Sequence, residues 1–405
     1  MNKLIAIFKS DKIPIILCCV YCFADIMINT ELIYLIPSLI LTVLKIVIVV
    51  VSIAYMILTK RELLIVYRPI IILLAFIVSV GTMVYGMTMQ IFSIFVFMLL
   101  LRGYKFKYIL KYFYIMLWIA FLLTVFMSII QVYPNLDYSR NGTVRMALGF
   151  GTPTLGQSIL MFLLLTKFYL DDYKISCWIV LLFFVVSTVF YFCTAGRTGY
   201  FLTLALIVVI VLYAFLRKNK FLNKVAHSKI ILFLLVLLPF IFLWGTLILT
   251  ELFESGNDFA IKLNNFLSTR LLLQMNALNE RSITIFGQNI SWFNDQGIYI
   301  GIDNSYLYHL YNYGIIVFLG ALIAYSYMFY CAWSEADFSL ILVLIFILID
   351  ATIEPYMLDF KYNYFVFYIG NKLLMPNKVL QRYEKSIFKK SISLWINPKR
   401  IVEYE

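Results

Sequence analysis

Apolar residues recur along the whole chain in runs that are long enough to cross a lipid bilayer as helices. A hydrocarbon core of about 30 Å needs roughly 20 residues of helix. We predict twelve spans, at about 13–28, 32–58, 69–86, 88–101, 109–132, 153–169, 175–194, 198–216, 230–250, 303–327, 338–353 and 362–375. The fourth and twelfth are short and can also be tilted or re-entrant. The pattern predicts an all-α, polytopic membrane protein with one membrane domain over residues 1–405.

Two long polar segments interrupt the apolar runs, both on the side that we predict to face outward. The first covers residues 133–152 and the second covers residues 251–302, which include a short helix-like stretch, Phe259–Ser282. In this amphipathic stretch, Arg270 interrupts an apolar stripe. Either Arg270 reaches lipid headgroups from an interfacial helix, or it points into a cavity between this helix and the membrane domain.

A second arginine interrupts an apolar region at "TAGRTG", residues 194–199. Burying an unpaired guanidinium in hydrocarbon costs from about 3 to more than 10 kcal/mol. We therefore predict a tight outer turn between two spans, with Arg197 at the membrane face. Gly196 and Gly199 would allow either a sharp bend or the close approach of a substrate.

Composition and charge narrow the class of protein. Hydrophobic residues make up 63% of the chain and charged residues 13%, which excludes an ordinary soluble domain. With both termini cytoplasmic, 25 of the 33 lysines and arginines fall in inner segments and 7 in outer ones, as the positive-inside rule requires. The net charge of +12 therefore reports topology and attraction to anionic lipid, and it does not indicate a nucleic-acid partner.

One pair of opposite charges lies within the predicted spans. Asp25 is about 18 Å from the inner end of the first span and Lys45 is about 20 Å from the inner end of the second, at 1.5 Å per residue. Because their depths match, we predict that Asp25 and Lys45 form a buried ion pair.

Cysteines and histidines give no sign of a metal or redox centre. The six cysteines lie within or at the ends of spans, so we expect no structural disulfide, and we interpret Cys18, Cys19 and Cys22 as helix-packing residues. The chain has only two histidines, and we expect His309 to pack inside the protein. We expect neither a metal ion nor another cofactor.

Several motifs occur in an order that is typical of one family. "TAGRTG" at a span junction is followed by "STRLLLQMNALNERSITIFGQN" and then by "DNSYLYHLYNYGIIVF". Together with "RMALGFGTPTLGQ" and "ATIEPY", this order resembles the Wzy-type polymerases of capsular polysaccharide, O-antigen and exopolysaccharide, whose plan the O-antigen ligases share. Two positions depart from the pattern: Thr154 follows Pro153 where asparagine is common, and Asp303 stands where the ligases have histidine.

The resemblance implies a metal-independent glycosyltransferase on the outer face of the bacterial plasma membrane. Its substrates would be oligosaccharide repeat units linked to undecaprenyl pyrophosphate, which is released as each growing chain moves onto a new unit. The implied partners are these lipid-linked oligosaccharides, membrane lipid, a flippase and a chain-length regulator. Two alternatives remain open: a ligase-like transferase with another acceptor, and a flippase or transporter of the same substrates.

The same resemblance implies roles for individual residues. Arg197 and Arg270 would bind the pyrophosphate through planar, bidentate contacts, and Asp303 would accept the proton of the attacking hydroxyl. Further candidates for substrate binding are Arg145, Arg140, Asn304, Tyr306 and Glu354.

Each candidate also has a simpler interpretation. Asp303 can be a helix N-cap, and Arg197 can hold a turn against lipid phosphates. Arg140 and Arg145 can be solvated loop charges, and Tyr306 can belong to an interfacial aromatic belt.

Overall fold

The computed structural model describes residues 12–59, 69–132, 135, 137–140, 143–172, 174–216, 228–291 and 300–373. Both chain termini, and the predicted inner segments around residues 60–68 and 217–227, lie outside this part. The described residues are mostly helical, with fifteen α-helices.

The helices follow the apolar pattern closely. In chain order the helices are α1 (Ile13–Met27), α2 (Ser38–Leu58), α3 (Pro69–Tyr85), α4 (Gln90–Leu101), α5 (Phe106–Ile129), α6 (Leu155–Leu170), α7 (Cys177–Thr194), α8 (Arg197–Leu216), α9 (Lys229–Glu254), α10 (Asp258–Phe266), α11 (Arg270–Glu280), α12 (Ser305–Asn312), α13 (Gly314–Ser334), α14 (Phe338–Ala351) and α15 (Val366–Leu373). A 3-10 turn covers Glu31–Tyr34, and strands β1 (Asp137–Arg140) and β2 (Thr143–Met146) form an antiparallel hairpin.

Six of these helices are long and apolar enough to cross a membrane: α2, α5, α7, α8, α9 and α13. Five more, α1, α3, α4, α6 and α14, are apolar but shorter. The chain is therefore a multi-pass, helical membrane protein. Each run that we predicted to span the membrane contains at least one helix.

Four predicted helical segments differ from the structure. The run 32–58 is α-helical only from Ser38, after the 3-10 turn at Glu31–Tyr34. The stretch Phe259–Ser282 is two helices, α10 and α11, because Ser268 and Thr269 adopt left-handed backbone angles, with φ of 64° and 68°. The run 303–327 is divided into α12 and α13. The run 362–375 is helical only from Val366, and the residues between α14 and α15 form an irregular segment, 352–365.

The division between α12 and α13 has a local cause at Gly314. Its φ is +82°, a conformation that favours glycine, and an added Cβ would lie 2.3 Å from the carbonyl oxygen of Ile285. The loop that precedes α12 therefore packs directly against the break. The amide of Ile315 donates to the carbonyl oxygen of Thr284 at 3.0 Å, which holds the two together.

The irregular segment 352–365 is packed inside the helical bundle. The hydroxyl of Tyr325 donates to the carbonyl oxygen of Met357 at 2.7 Å, and the amide of Leu358 donates to Nε2 of His309 at 3.2 Å. The side chain of Gln90 donates to the carbonyl oxygen of Leu358 at 3.2 Å. Buried irregular backbone needs such protein partners, because its N–H and C=O groups are cut off from water. His309 thus packs within the protein, as we expected from the sequence.

The same segment completes a buried network of four charges. Lys45 of α2 pairs with Asp25 of α1, which confirms the predicted ion pair. Lys361 lies 3.4 Å from Asp25 and 3.1 Å from Asp359. Two lysines and two aspartates therefore neutralise one another between α1, α2 and the irregular segment, which explains why each charge is tolerated there.

The first polar segment contains the β1–β2 hairpin, which we did not predict. Its register pairs Asp137 with Met146 and Arg140 with Thr143. Just after the hairpin, the carbonyl oxygen of Gly149 accepts a hydrogen bond from the amide of Glu31 at 2.8 Å. The hairpin and the α1–α2 connection therefore meet at one end of the bundle.

Candidate active site

The tight turn that we predicted around Arg197 is present. Helix α7 ends at Thr194, Ala195 is left-handed with φ of 48°, and α8 begins at Arg197. Gly199 faces Gln157 of α6, whose Cγ would lie 2.9 Å from an added Cβ. The small residue at 199 therefore allows close contact between two helices, and this face of the turn is not open to a substrate.

Two arginines flank this turn. Arg145 on β2 donates from Nε to the backbone carbonyl oxygen of Thr194 at 2.9 Å, which docks the hairpin against the end of α7. The side chain of Arg197 is exposed, and within the described residues it has neither a hydrogen bond nor an ion pair. Arg197 thus points away from the protein interior at the very start of α8.

Arg270, the first residue of α11, is enclosed by three separate parts of the chain. Its Nη2 lies 2.5 Å from Oε1 of Glu354, and its Nε lies 3.5 Å from Oδ2 of Asp303. Its Nη1 lies 3.4 Å from the hydroxyl oxygen of Thr198. The side chain is only 7% exposed. The interpretation in which Arg270 reaches lipid headgroups is therefore wrong, and its guanidinium faces the membrane domain.

Two carboxylates contact this guanidinium, and the carboxyl group of Asp350 lies near them. The side chain of Asp303 is 25% exposed and that of Glu354 is 5% exposed. Asp350 lies one helical turn before Glu354, is fully buried, and its Oδ1 has no hydrogen-bond partner among the described residues. Burial raises the pKa of Glu354 to about 7, because lost hydration outweighs the stabilising charge of Arg270.

Asp350 is a site residue that our sequence analysis missed. It occupies the end of an apolar run, where a charged residue looks like an ordinary helix terminus. The available signal was its spacing in "DATIE", because acids at i and i+4 lie on one face of a helical turn.

Asn304 is the N-cap of α12. Its Oδ1 accepts hydrogen bonds from the amides of Tyr306 and Leu307 at 2.8 and 3.2 Å, and its Nδ2 donates to the carbonyl oxygen of Thr352 at 2.8 Å. The capping role that we considered for Asp303 therefore belongs to its neighbour. The amide of Asn304 is occupied by these contacts, whereas the Asp303 carboxylate is directed to Arg270.

Ser305 fixes the spacing between the two acids that contact Arg270. Its hydroxyl donates to the carbonyl oxygen of Glu354 at 2.5 Å and accepts from the amide of Met357 at 3.1 Å. The start of α12 is thereby tied to the end of α14. The positions of Asp303 and Glu354 relative to each other are set by backbone contacts and do not depend on Arg270 alone.

The remaining candidates lie further from this centre. Tyr306 is fully buried, and its hydroxyl has no hydrogen-bond partner among the described residues. Arg140 pairs through its backbone with Thr143 in the hairpin, and its side chain lies outside the described part of the structure. In the part that the structure describes, no group of three or more His, Cys, Asp or Glu residues is arranged to hold a metal ion.

The arrangement has two chemically different sides that meet at Arg270. On one side, Arg197 at the start of α8 and Arg145, which is anchored to the end of α7, offer positive charge to an anion. On the other side, Asp303 and Glu354 offer carboxylates to a hydroxyl group. A site of this kind can hold a phosphate and remove a proton at neighbouring positions.

Comparison with known proteins adds no further constraint. Neither the protein-family models nor the curated proteins nor the solved structures contain a match to this chain.

Proposed function

We propose that this protein is a Wzy-type polymerase that joins lipid-linked oligosaccharide repeat units into a surface polysaccharide. The observation that carries the proposal is that Arg145 and Arg270 contact Thr194 and Thr198, on either side of Arg197 in the chain, and that Asp303 lies 3.5 Å from Arg270. These arginines come from three separate motifs of the resemblance. The proximity of these three motifs in the fold supports a shared substrate site.

The donor pyrophosphate would bind at the turn between α7 and α8. Arg197 is exposed there, Arg145 is anchored beside it, and α8 presents its N-terminus. Helix N-termini and guanidinium groups both favour phosphate oxygens. This charge would stabilise the pyrophosphate as it leaves the anomeric carbon of the donor sugar.

The acceptor hydroxyl would bind next to Asp303, the most exposed of the three acids around Arg270. As the hydroxyl oxygen attacks the anomeric carbon, the bond from that carbon to the pyrophosphate breaks. The hydroxyl proton passes to the Asp303 carboxylate, and undecaprenyl pyrophosphate is the product. The reaction uses no cofactor or metal ion, because the donor is already activated by its leaving group.

The site would lie on the outer face of the bacterial plasma membrane, in a chain of twelve spans with both termini cytoplasmic. The distribution of lysine and arginine supports this orientation. Lipid-linked units reach the outer face through a flippase, and a chain-length regulator would control the product. Both are the partners that we propose for this protein.

A deletion strain tests the proposal directly. If the protein is a polymerase, the strain accumulates single lipid-linked repeat units, and the ladder of longer glycans disappears. If it is a ligase, long lipid-linked chains accumulate instead. A normal ladder on the cell surface would contradict both activities.

One observation favours transport as a second candidate function. The buried network of Asp25, Lys45, Asp359 and Lys361 lies between helices, and charges inside membrane proteins often mark transport pathways. A transporter of lipid-linked oligosaccharides would leave these units on the inner face when deleted. Probing the units with a membrane-impermeant lectin separates this outcome from a loss of polymerisation.

A further inference from the structure

The guanidinium of Arg270 has a protein partner near each of its three nitrogens. Glu354 contacts Nη2 at 2.5 Å, Asp303 lies 3.5 Å from Nε, and Thr198 lies 3.4 Å from Nη1. The closest of these contacts is the one with Glu354. Nε makes no hydrogen bond within the described residues, so a phosphate that is to contact both Nε and Nη2 must replace the Glu354 carboxylate, which already occupies the position of an anion at Nη2.

The charge around Arg270 makes a simple addition of phosphate unfavourable. The titratable and charged groups that face Glu354 are Arg270 of α11, Asp303 before α12, Asp350 of α14, and Tyr356 of the irregular segment. One guanidinium thus contacts two carboxylates, with the carboxyl group of Asp350 close by. A pyrophosphate would add more negative charge to a buried site, where repulsion between like charges is only weakly screened.

We propose that the donor pyrophosphate exchanges with Glu354 for Arg270, and that Glu354 takes up one proton as it is released. This exchange rests on the proposed function, because it assigns the anion as the pyrophosphate of the lipid-linked donor. The ion pair between Nη2 and Oε1 breaks, and an ion pair between Nη2 and a phosphate oxygen forms. The proton is taken up from the buffered solution and stays on the Glu354 carboxyl group.

The surroundings provide an entry for such an exchange. Asp303 lies 3.5 Å from Nε of Arg270 and is one quarter exposed, so solvent reaches the Asp303 edge of the Arg270 site. Ser305 holds the backbone of Glu354 independently of Arg270. The Glu354 side chain can therefore leave the guanidinium while its backbone stays in place.

The exchange predicts a specific dependence of donor binding on pH. Glu354 without its cation and beside an anion holds a proton more tightly than Glu354 paired with Arg270, so binding is favoured at low pH. Affinity for the donor therefore falls about tenfold per pH unit as pH rises above about 7, where Glu354 of the free protein is ionised.

The test measures binding of P1-farnesyl P2-methyl diphosphate to the purified full-length protein in detergent, between pH 6 and 9. Each phosphate of this diester carries one charge throughout that range, so the ligand itself does not titrate. For the wild-type protein we expect affinity to fall about tenfold per pH unit above about pH 7. For Glu354→Gln we expect an affinity that does not change with pH. Asp350→Asn is the matched control for the neighbouring carboxyl group, and it should retain the slope.

An infrared difference spectrum provides a second readout that needs no variant. Addition of the diester to the wild-type protein should produce the carbonyl band of a newly protonated carboxylic acid. A flat pH profile in the wild type, or no such band, would overturn the exchange and leave the polymerase proposal standing. Loss of the slope in Asp350→Asn with its retention in Glu354→Gln would overturn the assignment to Glu354. No binding of the diester at any pH would contradict both proposals.

Discussion

Arg145 and Thr194 lie 49 residues apart in the chain, yet the Nε of the first donates to the backbone carbonyl oxygen of the second at 2.9 Å. This hydrogen bond connects the β-hairpin of the first polar segment to the turn that carries Arg197. Two segments that looked like separate loops in the sequence therefore form one surface. The candidate site depends on this surface for its positive side.

Replacing Arg145 by lysine should show how much this contact contributes. Arg145→Lys keeps the charge but loses the Nε donor, and a hydrogen bond to a charged group contributes about 1.5–3 kcal/mol. We expect the rate of polymer formation in proteoliposomes to fall at least about tenfold. The matched control is Lys262→Ala, which removes an exposed positive charge from α10 and should leave the rate unchanged. Equal rates for Arg145→Lys and the wild type would contradict a positioning role for Arg145.

Arg197 should be important for activity and unimportant for stability. Because its side chain is exposed and has no partner among the described residues, Arg197→Ala should change the free energy of unfolding by less than about 0.5 kcal/mol. Arg197→Lys loses the planar, bidentate contact with phosphate, so we expect at least about a 100-fold loss of activity. The comparison requires a thermal unfolding curve and a rate for each variant. Wild-type rates in Arg197→Ala would reduce Arg197 to a turn residue that holds lipid headgroups.

Substitutions at Asp303 and Asn304 should separate an effect on glycan transfer from an effect on stability. Asn304 supplies the helix cap, so Asp303→Asn should leave stability near that of the wild type and abolish transfer, while donor binding remains. Asn304→Ala should instead lower the free energy of unfolding by about 1 kcal/mol or more, because a cap is lost together with the contact to Thr352. Normal transfer by Asp303→Asn would exclude Asp303 as the base.

The four-charge network should behave as a unit that stabilises the fold. Removing one member leaves an unbalanced buried charge, so Asp25→Asn, Lys45→Met and Lys361→Met should each lower the free energy of unfolding by about 3–5 kcal/mol. The double variant with Asp25→Asn and Lys45→Met restores neutrality, and it should unfold at a higher temperature than either single variant. Thermal unfolding in detergent measures the stability of the three single variants and of the double variant. Unchanged stability in the single variants would show that the network makes no contribution.

Gly314 should tolerate no side chain. Its positive φ and the carbonyl oxygen of Ile285 leave no room for a Cβ, so Gly314→Ala must distort the break between α12 and α13. Gly320→Ala on the same helix is the control, since no atom lies within 4 Å of its added Cβ. We expect Gly314→Ala to unfold at a lower temperature and Gly320→Ala to match the wild type. A reversed order would contradict this account of the break.

Most of the helices could be predicted from the sequence, because a helix that crosses the lipid must be apolar and about 20 residues long. The Asp25–Lys45 pair followed from the same rule, since each residue of a straight helix adds a fixed depth. Lys361 and Asp359 could not be placed in this way, because they lie in an irregular segment that has no periodicity. The contact between Arg270 and Glu354 was equally inaccessible, since 84 residues separate them and only the folded chain brings them together.

Sequence reasoning also had no means of distinguishing the roles of neighbouring polar residues. Asp303 and Asn304 are both good helix caps, and only the backbone geometry at the start of α12 assigns the cap to Asn304. The hairpin was missed for a related reason, since four-residue strands in a polar segment give little alternation of apolar and polar positions.

The central claim is that the protein transfers glycan chains between lipid-linked repeat units, and reconstitution measures this most directly. Lipid-linked units extracted from the deletion strain are mixed with the purified protein in proteoliposomes, without nucleotide sugars and with a chelator present. We predict a ladder of glycans that lengthens with time, release of one undecaprenyl pyrophosphate per bond formed, and no ladder with Arg197→Ala. If single units persist unchanged in the presence of correctly folded wild-type protein, the claim is contradicted.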